Sequence, residues 1–296
     1  QMADLLRNAA TVQPEHGVGF VHPDRTVTFV TYPELLARSR RLLKGLQSLG
    51  MKPGDITILS LDSASEIIPV LWACFQGGII PALLQPPVSF SEYNPAAKKA
   101  EKVYRLLDHP YVILSHSHRE SWMTSGIPVF SLIDVTDIPE PEGEPEIPEI
   151  LTHHLAMLQF SSGSTGDPKG VMLTHYNIIN NGKSIGDCMK FTHDDKLCIT
   201  VPFFHCFGLV LAIMASITHA TGMVPIEYYR PLDVMKAVQD EECTALHGVP
   251  TMFIGMLEHP QFKDFHFNRL RTGIMAGSPC PIKVMQQVVD QMGMRE

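Results

Sequence analysis

Residues Phe160–His175 read FSSGSTGDPKGVMLTH. Three glycines, four hydroxyl residues, one lysine and one proline stand between the apolar runs LAMLQF (155–160) and VML (171–173). Glycines admit positive φ, so successive backbone N–H groups can turn inward and form an anion-binding concavity. Ser161, Ser162, Ser164 and Thr165 add hydroxyl donors, and Lys169 adds a mobile positive charge. Each charge-assisted hydrogen bond contributes about 1.5–3 kcal/mol, so the set suits a polyphosphate. The pattern is not GxxxxGK[ST], and a short strand follows it where a Walker-type loop would lead directly into a helix. The competing reading is an ordinary polar Ser/Gly turn in a hairpin.

The chain around this loop alternates between two periods. Arg25–Val30 (RTVTFV) alternates like a strand, and Thr31-Tyr-Pro-Glu34 has the spacing of a capping box. Leu35, Leu36, Leu42, Leu43, Leu46 and Leu49 follow at helical intervals, with Gly50 where a C-terminal cap belongs. Strands are expected near 56–61, 79–84, 111–115, 155–160, 170–173, 197–201, 222–226, 244–248 and 271–276. Helices are expected over 63–76, 95–108, from Tyr176 with Thr174 as cap, and over 207–218, 231–242, 250–258 and 281–292. Such βα alternation predicts an α/β fold of mostly parallel sheets covered by helices. Residues 137–149 (DIPEPEGEPEIPE) hold four prolines and six acidic side chains. They read as a solvated linker or surface loop. The expected organisation is therefore a first α/β subdomain over 1–150 and a second, bearing the loop, over 151–296.

Composition narrows the function classes. The 296 residues are 45% hydrophobic and 18% charged, an ordinary globular composition. A net charge of −8 argues against a nucleic-acid partner, which would call for a basic footprint. Two stretches lack Asp, Glu, Lys and Arg, residues 67–91 and 197–226, but prolines and glycines interrupt the first, and prolines, glycines and two histidines the second. Neither offers the roughly 20 uninterrupted apolar residues of a transmembrane helix. Six scattered cysteines without a CxxC pair read as reduced core thiols, hence a cytoplasmic compartment and no zinc site.

The run SSGSTGDPKGVMLTH resembles the phosphate-binding signature of the adenylate-forming enzymes, the AMP-binding superfamily of acyl-CoA synthetases, fatty acyl-AMP ligases and adenylation domains. The resemblance extends in family order over nearly the whole chain, through TYPELLARSRRLLKGLQSLGMKPGD, ACFQGGIIPALLQPP, VPFFHCFG and RTGIMAGSPCP. It implies the large domain of that family and a two-step reaction. A carboxylate attacks the α-phosphate of Mg²⁺–ATP, giving an acyl-adenylate and pyrophosphate, and a thiol then takes the acyl group. By resemblance, Ser161, Ser162, Gly163, Ser164, Thr165, Gly166 and Lys169 would hold the β- and γ-phosphates. His205 would sit by the carboxylate and α-phosphate, which makes His205 and Lys169 the catalytic candidates. Gly277, Ser278 and Pro279 would flank the adenine and the acyl channel. Each assignment has a structural alternative: a core histidine among aromatics for His205, a strand-to-helix turn for 277–279.

The second half resembles medium- to long-chain fatty acyl-CoA synthetases, and the first half resembles carrier-loading adenylation domains. The acceptor expected is CoA, with a carrier-protein phosphopantetheine as the alternative. The family's next motif, whose Glu binds Mg²⁺, and its small C-terminal domain are expected beyond Glu296. On that expectation the chain is an N-terminal portion, a weak or inactive acid–thiol ligase by itself. A third reading, from a different class, is an ATP- or acyl-binding fragment without turnover.

Overall fold

The computed structural model describes residues 1–90, 94–161 and 167–296. It divides into two compact units. The first comprises Gln1–Asp4 and Leu35–Ile178, and the second comprises Leu5–Glu34 and Ile179–Glu296.

The first unit is built on a six-stranded sheet. Its strands are β3 (Ile56–Ser60), β4 (Ile80–Leu83), β5 (Tyr111–Leu114), β6 (Leu132–Asp134), β7 (Leu155–Phe160) and β8 (Gly170–Thr174), in the spatial order β6-β5-β3-β4-β7-β8. The pairs β5–β6, β3–β5, β3–β4 and β4–β7 are parallel, and only the edge pair β7–β8 is antiparallel. Helices α3 (Ala64–Gly77) and α4 (Pro95–Leu106) and the short α5 (Arg119–Met123) provide the crossovers. Strands β3, β4 and β5 are buried almost throughout, which is why they read as continuous apolar runs and not as alternating ones. Ile58, Ala82, Val112, Leu114, Val103, Trp122, Leu158 and Phe160 form one core between this sheet and its helices. The Pro-rich stretch after β6 packs along α2 (Tyr32–Ser48). Gln47 exchanges two hydrogen bonds with the backbone of Glu146, Arg40 pairs with Glu144, and Ile138 and Ile150 are buried.

The second unit repeats the plan. Strands β1 (Gly17–Val21), β2 (Val27–Thr31), β9 (Lys196–Ile199), β10 (Gly222–Pro225), β11 (Ala245–Gly248) and β12 (Thr272–Met275) lie in the order β12-β11-β9-β10-β1-β2. Again a single antiparallel hairpin, β1–β2, closes one edge of an otherwise parallel sheet. Helices α8 (Pro231–Asp240), α9 (Pro250–Leu257) and α10 (Ile282–Met292) cover one face through Val234, Met235, Phe253 and Val288. Three helices cross the boundary between the units in sequence: α1 (Met2–Val12), α2 and α6 (His175–Cys188).

Local signals in the sequence are realised as hydrogen bonds. Thr31 and Glu34 form the reciprocal box at the start of α2, with Glu34 Oε2 accepting from the Thr31 amide at 2.8 Å and Thr31 Oγ1 accepting from the Glu34 amide at 3.3 Å. Thr174 and Asn177 repeat it at α6. Gly50 takes φ +93°, the left-handed end of α2. The expected helix over 207–218 differs from the observed one. Residues Phe207–Met214 wind as a π-helix, and only the last turn, α7 (Ala215–Ile217), is α-helical. Periodicity shows that such a run is helical but not how many residues fill each turn, because packing from outside decides that.

Candidate active site

The loop of residues 161–169 joins β7 to β8. Because β7 runs parallel to β4, with Leu158 beside Ala82, the chain leaves Phe160 at the carboxyl edge of the sheet. That edge is where ligands of open α/β sheets bind. The hairpin register pairs Phe160 with Gly170, and the Ser161 amide donates to the Lys169 carbonyl at 3.0 Å, closing the base of the loop. A Cβ at Gly170 would lie 3.1 Å from the Phe160 ring, so glycine lets the ring seat across the hairpin. Ser161 and Lys169 are exposed. Ser162, Gly163, Ser164, Thr165 and Gly166 lie outside the described residues.

Helix α4 adds two cations that the sequence reading did not assign. Lys99 Nζ donates to the Phe160 carbonyl at 3.4 Å, and burial pushes its ammonium pKa down. Lys102 pairs with Asp167 at 2.8 Å. Their spacing of three residues, within KKAEK, is the signal that puts both on one face of a helix. What sequence could not supply is that this face meets the base of the loop.

In the second unit, His205 follows β9 and the Gly277–Pro279 turn follows β12. In the order β12-β11-β9 these two strands flank β11, about 10 Å apart at ordinary strand spacing. Both segments leave parallel strands at the same carboxyl edge. The sheet reverses its strand order between β9 and β11, the switch point where a crevice opens. His205 is exposed, and its Nδ1 accepts the Phe207 amide at 3.2 Å. In the neutral ring the proton therefore sits on Nε2, which is a hydrogen-bond donor. Gly208 lets the π-helix start against the preceding segment, since a Cβ there would fall 2.4 Å from the Pro202 carbonyl oxygen. Phe207, Leu209, Val210, Ile213 and Met214 are buried, so most of this apolar run is core. Gly277 has φ +90°, and Gly277, Ser278 and Pro279 are all exposed in the strand-to-helix turn.

Among the described residues no group of three His, Cys, Asp or Glu side chains is placed to hold a metal ion. No helix among them is long and apolar enough to cross a membrane. All six cysteines are free, but only Cys74, Cys198 and Cys243 lie in the core; Cys188 and Cys206 are exposed and Cys280 is half-buried.

The AMP-binding enzyme family model matches residues 6–296, so the chain belongs to that family. It is 34% identical to YngI of Bacillus subtilis (strain 168), over 99% of this chain and 59% of that protein. It is 26% identical to the mitochondrial medium-chain acyl-CoA ligase ACSF2 of Rattus norvegicus, over 90% of this chain and 49% of that one. Among solved structures, that of McyG A-PCP complexed with phenylalanyl-adenylate superposes with a TM-score of 0.92 at 25% identity, over all of this chain and 56% of the other. The chain thus spans about half the length of the relatives it matches. Its large-domain fold and its kinship with acyl-activating ligases and adenylation domains agree with the resemblance read from the loop.

Proposed function

We propose that this chain carries the ATP- and acyl-binding part of a ligase that activates a medium- to long-chain fatty acid as its adenylate and passes it to CoA. One observation carries the reading: every candidate segment follows the carboxyl end of a parallel strand, namely 161–169 after β7, His205 after β9 and Gly277–Pro279 after β12. In this reading the loop, with Ser161 through Gly166 and Lys169, takes the β- and γ-phosphates of ATP. The donor set fits that group: hydroxyls and a lysine on a loop whose base is closed by its own backbone, with Lys99 and Lys102 behind it. His205, donating from Nε2, would orient the carboxylate or the α-phosphate oxygen. Gly277, Ser278 and Pro279 would leave room for adenine, and the residues after Phe203 would wall the acyl group. Mg²⁺ enters as the counter-ion of ATP, where it neutralises phosphate charge. The free cysteines support a cytoplasmic setting.

Carboxylate-dependent ATP–pyrophosphate exchange tests the first step. Replacing both Thr165 and Lys169 by Ala should weaken ATP binding and leave the melting temperature nearly unchanged. Removing one preorganised donor costs up to about 10²–10³ in rate. Equal nucleotide binding before and after would return the loop to an ordinary turn. Transfer to free CoA separates a CoA acceptor from a carrier-protein phosphopantetheine. ATP binding without pyrophosphate release would favour a binding role without turnover.

A further inference from the structure

Residues Phe207–Met214 read FGLVLAIM, with the good α-helix formers Leu209, Leu211, Ala212 and Met214, yet they wind as a π-helix. π-turns are rare and mark places where something beyond local preference sets the winding. The Ala215 amide shows what changes. In an α-helix it would donate to the Leu211 carbonyl, four residues back. Here it donates to the carbonyls of Val210 and Ala212 and bypasses Leu211.

The bypassed oxygen is taken up from outside the helix. Nε2 of His247, on β11, lies 2.9 Å from the Leu211 carbonyl oxygen. A carbonyl only accepts, so Nε2 carries the proton. The other ring nitrogen, Nδ1, accepts the Ile274 amide of β12 at 3.2 Å. Both nitrogens are thereby committed to one neutral tautomer. The ring is fully buried, stands 5.6 Å from the Phe207 ring, and its strand is tied to the end of β9 where Thr200 Oγ1 donates to the His247 carbonyl at 2.6 Å. His247 therefore sits on the strand between the two site-bearing strands and bonds to both sides.

We propose that His247 selects the π register of residues 207–214 and, through it, is the positioning residue that aims His205. Returning the helix to the α register would remove one residue from the turn and rotate the preceding segment by about 100° relative to the following one. That segment begins at Phe207, whose amide holds His205 Nδ1. The register claim stands on geometry alone; its consequence for catalysis rests on the adenylation reading above.

The crystal structure of the His247→Phe variant tests the register directly. The expected structure has the Ala215 amide bonded to the Leu211 carbonyl; an intact π-helix in that variant overturns the proposal. Should the variant fail to fold, the wild-type chain answers by NMR. A correlation through the hydrogen bond from His247 Nε2–H to the Leu211 carbonyl carbon is expected, and one from the Ala215 amide to that carbon overturns it. The kinetic arm measures pyrophosphate exchange. His247→Phe should raise KM for the carboxylate roughly 10- to 100-fold and KM for ATP by no more than about twofold. His247→Gln, which keeps an N–H donor, should recover part of the loss. If both KM values rise together with lost stability, as in a buried Met235→Ala control, the positioning role is gone. No exchange on any carboxylate by the full-length protein that carries this chain overturns the adenylation reading, and the structural arm still decides on His247.

Discussion

The two sheets share a plan and differ at one turn. Each has five parallel strands in the same winding, the last of them paired in a hairpin with an antiparallel edge strand, and each hairpin leads into a helix through a threonine-based box. Both hairpin turns close at the base with a backbone bond, His22 to Thr26 in one and Ser161 to Lys169 in the other. The β1–β2 turn, HPDRT, satisfies itself. Asp24 accepts from the Thr26 amide and hydroxyl, and Arg25, at φ +71°, reaches Asp233. The β7–β8 turn, SSGSTGDPK, is longer and carries four hydroxyls and a lysine. A shared scaffold therefore becomes structural at one hairpin and a candidate phosphate cradle at the other, through turn composition alone.

The sharpest way to break this comparison is to exchange the turns. Replacing residues 161–169 by HPDRT should cost pyrophosphate exchange a factor on the order of 10³ or more, since several donors go at once. The far-ultraviolet circular dichroism should stay unchanged. Retained exchange would mean that the loop is not where the phosphates bind.

Acid should weaken both units next. Burial, the largest cause in both, pushes the pKa of His247 in the second unit and His175 in the first down to about 4. A histidine with a depressed folded pKa binds fewer protons than its unfolded counterpart near 6.5. Its contribution is therefore complete above pH 6.5 and is lost as pH falls towards 4. His247, with both nitrogens committed, should account for about 3 kcal/mol of that loss. Urea midpoints between pH 7 and pH 4 measure it, and the slope should flatten in His247→Phe. An unchanged slope would show that the ring is not held neutral.

A smaller effect marks the structural hairpin. Asp233 is buried and accepts from Arg25 and Arg230, each at 2.6 Å. Asp233→Asn should lower stability by about 2 kcal/mol, with nucleotide binding unaltered. Loss of ATP affinity in this variant would blur the distinction between the hairpins. Smallest of all, Thr31→Ala and Thr174→Ala should each cost about 1 kcal/mol, read as shifted urea midpoints. Unequal costs would show that the asparagine box at α6 is not equivalent to the glutamate box at α2.

Much of this was legible before any coordinates. The capping box at Thr31, the left-handed Gly50 and the two strands flanking the loop depend on residues close in sequence, and each appears as read. Strand β1 did not, because HGVGFV carries two glycines that weaken the strand signal. Tertiary contact explains them: a Cβ at Gly17 would sit 2.0 Å from the Val30 carbonyl oxygen, and Gly19 pairs across the hairpin with Phe29. Lys99 and Lys102 likewise gained a role only when α4 was seen to lie beside the loop.

The sequence by itself determined the alternation of strands and helices, the donor-rich loop and the family to which it belongs. These rest on backbone preferences and on hydrogen bonds between near neighbours, which the chain states locally. Tertiary structure alone decided which strands flank one another and so which candidate residues share a carboxyl edge. It also decided the winding of residues 207–214. That winding depends on an imidazole 36 residues away from Leu211 in the chain, and a partner so distant can be brought to the helix only by the order in which the strands pack.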